Sequence, residues 1–284
     1  MKYTMYALTT PQSTAMGKSF MNSQKLPIWK FWDIWNLIFH SCTNISFLDG
    51  KVNWIRPFLN FQVSEVLIMA VSKPLQRILC YGDSLTAGFC FRGSKFVPYA
   101  DTLESSLSRK KLNVEVDHFG FSGWTTQRLL INIDEYVLKD FTGKSGPGLN
   151  KAFQKQDYHL LILMAGTNDL GHATIEEIFK NLQDLMNCAI KANVKVLSVG
   201  IPDSGYIYHN PNVRAKRDQI NEKLAKYANE TALVTYTDPP IKYEPKCASF
   251  DDDGLHFSEF GYQSFGDGLV EVVQSILINS WKNK

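Results

Sequence analysis

The chain has 284 residues, of which 44% are hydrophobic and 20% charged, and its formal net charge is +2. This composition is ordinary for a globular protein with a sizeable buried core. The small net charge and the lack of any long Lys/Arg run exclude the basic surface expected of a nucleic-acid-binding protein.

The first quarter of the chain differs from the rest. Four of the six Trp residues fall between positions 29 and 54, and the segment 28–39 (IWKFWDIWNLIF) is apolar nearly all round but too short to span a bilayer. No signal-peptide pattern is present, and the first Arg is Arg56, whereas transit peptides are rich in Arg. We expect residues 1–75 to form a Trp-rich extension, poorly ordered or loosely docked, that covers an apolar patch or contacts a membrane interface.

The cysteines indicate the compartment and the absence of a metal site. The five Cys residues form an odd set without a CxxC pair or a His at metal-ligand spacing. An intracellular, reducing compartment is therefore favoured, with organelle targeting left open, and no metal is expected. The five are Cys42, Cys80, Cys90, Cys188 and Cys247.

From residue 77 onward, short apolar runs alternate with amphipathic segments. Strands are predicted at 77–81, 114–119, 158–165, 194–200 and 232–236, and helices at about 98–109, 125–139, 174–192, 212–230 and 260–280. The segment 144–150 (KSGPGLN) is expected to be a flexible insertion. This order predicts an α/β domain over residues 76–284, with a doubly wound, parallel five-stranded sheet between two layers of helices. Ligands of such sheets bind beyond the carboxyl ends of the strands, so motifs at those positions are the functional candidates.

One candidate resembles a phosphate-binding loop. Residues 88–95 read GFCFRGSK, which differs from GxxxxGK[ST] because Ser94 and Lys95 are exchanged. In the phosphate loop the Lys directly follows the last Gly in order to reach the phosphates. No GxGxxG follows any predicted strand either, so we expect no nucleotide cofactor.

Ser84 is a second candidate, since it follows the first predicted strand directly. Gly82 and Asp83 beside it tolerate a tight turn, which would present the Ser84 hydroxyl at the end of the strand. A Ser or Asp in this position also commonly caps a helix. A nucleophilic Ser needs a base held by a carboxylate and donors for an oxyanion, so the other strand ends decide between these roles.

Three clusters at the other strand ends supply those groups. Gly123 lies in GFSGWTT after the second strand, Asn168 in AGTNDL after the third, and Asp253 and His256 stand three residues apart in FDDDGLHFSEFG before the last helix. Each has an alternative role: a turn Gly, a helix cap, or a solvated acidic run with a structural His. Asp251 and Asp252 are expected to face solvent, and Asp83 to brace its turn.

Together these residues resemble the SGNH, or GDSL, family of esterases and lipases. The four blocks of that family are matched in order over about residues 76–280: Gly82-Asp83-Ser84-Leu85, Gly123, Gly166-Thr167-Asn168-Asp169 and Asp253-Gly254-Leu255-His256. The resemblance implies a flavodoxin-like fold, with Ser84 as nucleophile, His256 as general base and Asp253 as its carboxylate. It also implies an oxyanion hole made by the backbone N–H groups of Ser84 and Gly123 and the side-chain amide of Asn168. No GxSxG elbow occurs, which argues against an α/β-hydrolase.

The predicted function is therefore a serine esterase or lipase that cleaves carboxylic esters, on a small-molecule or lipid substrate and without a cofactor. An acyltransferase that uses the same site is an alternative. A catalytically silent binding protein that works through its Trp-rich segment is another. Trp124 could line the substrate pocket or belong to the core, and Phe89, Phe91 and Tyr206 are similarly undecided.

Overall fold

The structure, a computed structural model, describes residues 74–282, so the predicted N-terminal extension lies outside the described residues apart from positions 74 and 75. The strands are β1 (Gln76–Asp83), β2 (Phe89–Cys90), β3 (Lys95–Phe96), β4 (Val114–Phe121), β5 (Leu138–Lys139), β6 (Ser145–Gly146), β7 (Leu160–Met164), β8 (Lys195–Val199) and β9 (Val234–Thr237). The α-helices are α1 (Ser84–Ala87), α2 (Tyr99–Arg109), α3 (Thr126–Ile131), α4 (Leu149–Lys155), α5 (Ile175–Lys191), α6 (Gly205–His209), α7 (Pro211–Glu230) and α8 (Glu259–Lys282).

Five strands form a parallel sheet in the order β4-β1-β7-β8-β9. Successive strand residues face opposite sides, so Leu79 and Tyr81 join the core under α3, α4, α5 and α7, while Ile78 and Cys80 join the core under α2 and α8. Burial on both faces explains why the strands are continuous apolar runs rather than alternating ones. The prediction of a three-layer, doubly wound α/β fold is confirmed.

The strand order places the switch point of the sheet at β1. This strand pairs with β4 on one side, where Asp83 faces Phe121, and with β7 on the other, where Gly82 faces Met164. The chain segments that follow β1, β4 and β7 therefore begin next to one another at one edge. Ligands bind at such a point in doubly wound sheets.

The predicted helix over 125–139 is wrong in its second half, since α3 ends at Ile131. Beyond it, the carbonyls of Ile133 and Glu135 accept hydrogen bonds from the N–H groups of Asn150 and Gly148 instead of continuing the helix. The chain then forms the hairpin β5–β6. The segment 144–150, predicted to be a flexible insertion, is thus the second strand of that hairpin and the start of α4.

Candidate active site

The end of β1 sets the position of Ser84. Gly82 packs so tightly against β7 that an added Cβ would lie 1.9 Å from the carbonyl oxygen of Met164. Asp83 caps α1, its Oδ1 accepting the Leu85 N–H at 3.0 Å. The expectation that Asp83 braces the turn agrees with this contact. Ser84 is thereby the first residue of α1, where backbone N–H groups have no acceptor within the helix.

Ser84, His256 and Asp253 form a continuous chain of hydrogen bonds. The Nε2 atom of His256 lies 2.9 Å from Oγ of Ser84, and Nδ1 lies 2.7 Å from a carboxylate oxygen of Asp253. An ionised carboxylate can only accept, so Nδ1 carries the proton and Nε2 presents its lone pair to the Ser84 hydroxyl. This is the arrangement in which an imidazole can remove a proton from a Ser.

Asp253 is held by its own loop. Burial alone would raise the pKa of its carboxyl, but the hydrogen bond from the His256 ring and those from the N–H groups of Leu255 and His256 outweigh it, so the pKa lies below its ordinary value. The side chain therefore stays ionised at neutral pH. An ionised carboxylate fixes the ring of His256 and stabilises its protonated form.

Gly123 and Asn168 both adjoin Trp124, Gly123 as its neighbour in sequence and Asn168 through a hydrogen bond. Gly123 has a φ of +76°, a backbone conformation that favours glycine. The side-chain N–H₂ of Asn168 donates to the Trp124 carbonyl at 2.9 Å, which fixes the amide and leaves its second N–H for another acceptor. The structure thus links the second and third sequence blocks by a direct contact.

Asp169 strengthens that link. Its carboxylate is buried and accepts hydrogen bonds from both the N–H and the hydroxyl of Thr126, at 2.6 to 3.1 Å. Burial raises the pKa of Asp169, and the bonds from Thr126 oppose that shift. The sequence alone placed Asp169 beside Asn168 but gave no sign that its partner is the start of α3.

Comparison with known families decides the relationship. The model of the GDSL-like lipase/acylhydrolase family matches residues 80–264, which is more than half of the chain. The chain belongs to the GDSL-like lipase/acylhydrolase family. It is accordingly an ester-hydrolysing enzyme. No curated protein matches the chain.

Solved structures agree with the fold of this GDSL-like enzyme. A carbohydrate acetylesterase family member from Sinorhizobium meliloti is 21% identical, with a TM-score of 0.54, and the match covers 71% of this chain and 99% of that one. A family 3 carbohydrate esterase from Clostridium thermocellum is 18% identical (TM-score 0.54; 72% and 99% covered). The psychrotrophic esterase EstA from Pseudoalteromonas sp. is 16% identical (TM-score 0.54; 74% and 100% covered). These similarities establish the fold.

Phe89 is a site residue that the sequence left undecided. Its ring packs on the imidazole of His256, with centroids 4.4 Å apart and planes tilted by 38°. Tyr262 donates from its hydroxyl to the Phe89 carbonyl at 2.8 Å, which anchors β2 to α8. Phe89 therefore limits the movement of the His256 ring. The hairpin β2–β3 that presents it was not predicted, because two-residue strands leave no periodic pattern.

The other undecided aromatic residues separate into core and surface. Trp124 is buried and stacks on Phe121 at 4.8 Å, so it belongs to the core. Phe91 and Tyr206 are exposed. Asp252 is exposed as predicted, and Asp251 is partly exposed but also accepts the N–H of Phe91 at 2.5 Å, a contact that was not predicted.

Asp83 carries an unusual charge environment. Its side chain is 1% exposed, and Oδ2 has no hydrogen-bond partner among the described residues. Burial raises the pKa of Asp83 to about 7, against the bond from the Leu85 N–H and with the help of the nearby Asp169 charge. The carboxyl next to Ser84 therefore holds its proton to a higher pH than an ordinary Asp does.

A groove of about 500 Å³ adjoins the Asp253 side of the site. Ser84, Gly123 and Asn168 are not among its walls, so it lies beside the Asp253 carboxylate rather than beside the Ser84 hydroxyl. Within residues 74–282, no three His, Cys, Asp or Glu side chains are grouped so as to hold a metal ion, and no helix has the length and hydropathy to cross a bilayer. The groove is lined by Gly205, Tyr206, His209, Asn210, Tyr243, Asp252, Asp253 and Gly254.

Proposed function

We propose that this protein is a serine esterase that hydrolyses small-molecule or lipid carboxylic esters through an acyl-Ser84 intermediate. The observation that supports it best is the unbroken hydrogen-bonded series from Oγ of Ser84 through the His256 ring to the Asp253 carboxylate. The esterases among the structural neighbours are consistent with this chemistry, and one of them, EstA, is described as inhibited by monoethylphosphonate.

The first half of the reaction acylates the enzyme. Oγ of Ser84 attacks the ester carbonyl carbon while its proton passes to Nε2 of His256. The negative oxygen of the tetrahedral intermediate accepts hydrogen bonds from the N–H groups of Ser84 and Gly123 and from the Asn168 amide. When the intermediate collapses, the carbon–oxygen bond to the alcohol breaks and His256 gives its proton to the departing oxygen.

The second half releases the acid. Water gives a proton to His256 and attacks the acyl carbon, and the bond to Ser84 then breaks as Oγ takes the proton back. Asp253 holds the ring and stabilises its charged form in both halves. Each oxyanion donor typically contributes about 10² to 10³ in rate, and proton transfer by His about 10² to 10⁴.

Labelling by a fluorophosphonate probe tests the nucleophile. We expect wild type to react at Ser84, with the adduct located by peptide mass spectrometry, and to hydrolyse p-nitrophenyl butyrate. Ser84→Ala should lose labelling and at least about 10⁴-fold in kcat. Ser105→Ala is the matched control, because Ser105 is exposed on α2 and bonds to the Asp101 carbonyl; it should behave as wild type.

Three outcomes would contradict the proposal. If Ser84→Ala is labelled at the wild-type rate, Ser84 is not the nucleophile. A wild-type protein that neither labels nor cleaves esters, thioesters or acetylated sugars would instead be a silent binding protein. If added alcohols divert most of the acyl group from water to new esters, the enzyme is an acyltransferase.

A further inference from the structure

The hairpin β5–β6 lies beside the oxyanion glycine. Leu138 of β5 is buried, and Gly146 of β6 packs so closely on β4 that an added Cβ would lie 2.5 Å from the Phe119 ring. The hairpin is thus docked on the edge strand whose carboxyl end leads to Gly123. None of the four sequence blocks includes it, and nothing in the proposed acyl transfer uses it.

Asp140 fastens the turn of this hairpin to the segment before Gly123. Its buried carboxylate accepts the Ser122 N–H through Oδ2 at 2.7 Å. Through Oδ1 it accepts the Thr142 N–H at 2.9 Å, the Thr142 hydroxyl at 2.7 Å and the Lys144 N–H at 3.0 Å. Charge-assisted hydrogen bonds of this kind are stronger than neutral ones. One side chain therefore holds both the turn and the oxyanion segment in a fixed relation.

Phe141 is the next residue, and its ring lies against Gly123. A Cβ added to Gly123 would lie 3.3 Å from Cε1 and 3.6 Å from Cδ1 of Phe141. Phe141 is nevertheless 77% exposed. An aromatic ring that leaves most of its surface in water gains little from folding, so next to Gly123 it offers apolar surface that a bound molecule can cover.

We propose that Phe141 is a specificity-determining residue that contacts an apolar group of the bound ester. This inference rests on the proposed serine esterase function, in which the ester carbonyl is held at Gly123. An extended alkyl or aryl group on either side of that carbonyl can cover the exposed ring, whereas an acetyl or methyl group is too short to do so. The enzyme therefore prefers esters with a larger apolar group.

The exposed residues Ile131, Tyr136 and Val137 do not share this geometry. They are about as exposed as Phe141 and lie close to it in sequence. The Tyr136 ring is instead covered on one face by the ammonium group of Lys151, 4.4 Å from its centroid. Val137 directly precedes β5. Val137→Ala therefore serves as a matched control, since the substitution removes exposed apolar surface from the same hairpin region but not next to Gly123.

Two substrate series test the proposal on wild type, Phe141→Ala, Phe141→Leu and Val137→Ala. The acyl series uses p-nitrophenyl acetate, butyrate and octanoate; the alcohol series uses methyl, butyl and benzyl butyrate. We expect Phe141→Ala to lower the kcat/KM preference for the larger group in one series by about tenfold, as for the loss of contact with one or two methylenes. The affected series identifies the side of the ester that meets the ring. Phe141→Leu should retain most of the preference, and Val137→Ala all of it.

Fluorophosphonate labelling separates this proposal from the one on which it rests. All four proteins should be labelled at Ser84. If they are, and Phe141→Ala lowers kcat/KM equally for every ester, or Val137→Ala shifts the preference as much as Phe141→Ala, the role of Phe141 is refuted while the serine mechanism stands. If wild type itself is not labelled, the proposed function fails first.

Discussion

The two sides of the candidate site are built differently. Ser84 directly follows a core strand, and as whole residues Ser84 and Asp83 are 6% and 1% exposed. The side chains of Asp253 and His256 are 34% and 12% exposed and belong to a loop that is held mainly by its own hydrogen bonds. Sheet packing therefore positions Ser84, whereas local bonds position His256.

This difference separates stability from activity. Changes next to Ser84 disturb buried groups that also hold the sheet together, so they affect the free energy of unfolding. Changes in the loop around His256 remove hydrogen bonds that water can partly replace, so they mainly affect the rate of reaction.

Asp253→Asn should have the largest effect on activity, a loss of about 10³ to 10⁴ in kcat, because the neutral amide no longer fixes and stabilises the imidazole. Its oxygen still accepts the N–H groups of Leu255 and His256, so the variant should fold, with a urea midpoint near neutral pH lowered only by the loss of the charge's contribution. The depressed pKa of Asp253 adds stability that is present above the unfolded-state pKa and lost as pH falls through the folded one, and the variant should lack that acid-side slope. A drop in kcat of less than tenfold would show that Asp253 does not support His256.

Asp83→Asn should change the pH dependence of the free energy of unfolding more than Asp253→Asn does. The Asp83 pKa is raised from 3.8 to about 7, so the folded state binds this proton more tightly than the unfolded state does. Stability is therefore greatest below the unfolded pKa and falls as pH rises toward the folded one, by at most about 4 kcal/mol. Urea unfolding at about pH 4 and about pH 8 should show this decline in wild type and a smaller one in Asp83→Asn.

Asp252→Asn provides the control for that experiment. Asp252 is exposed, so this substitution removes a carboxylate from the surface and leaves the buried Asp83 in place. It should retain the wild-type decline between the two pH values. If Asp83→Asn retains the decline as well, Asp83 is ionised throughout this range and its burial is compensated by contacts other than those described.

Asp251→Ala should have the smallest effect. Its carboxylate bonds the N–H of Phe91 and so ties the base loop to the turn after β2. Because this bond is exposed, its loss should cost about 1 kcal/mol of stability and about a two- to fivefold decrease in kcat, with KM unchanged. Steady-state kinetics of Asp251→Ala should be compared with those of Asp252→Ala, in which the exposed neighbouring residue is changed. A loss above a hundredfold would mean that this one bond holds the loop.

The sheet could be predicted because its signal is local, and the four site blocks because together they resemble those of a known family. Each parallel strand is a continuous apolar run, and Asp253 and His256 stand three residues apart, so one loop can join them without help from the rest of the chain. The sequence predicted a helix over 125–139, but it did not reveal that the helix ends at Ile131. Ile131 is followed by residues that suit a helix, but their carbonyls bond to the segment around Gly148, which lies further along the chain.

The sequence by itself determined the α/β architecture, the position of Ser84 after the first strand and the pairing of Asp253 with His256, since apolar periodicity and short spacing act over a few residues. Only the tertiary structure decided that Phe89 packs on His256, that Asp140 bonds to Ser122 and that Phe141 lies against Gly123. These contacts join residues 18 or more positions apart that meet through short hairpins. Two-residue strands have too few residues to show a periodic pattern, so the packed sheet edge sets where they lie.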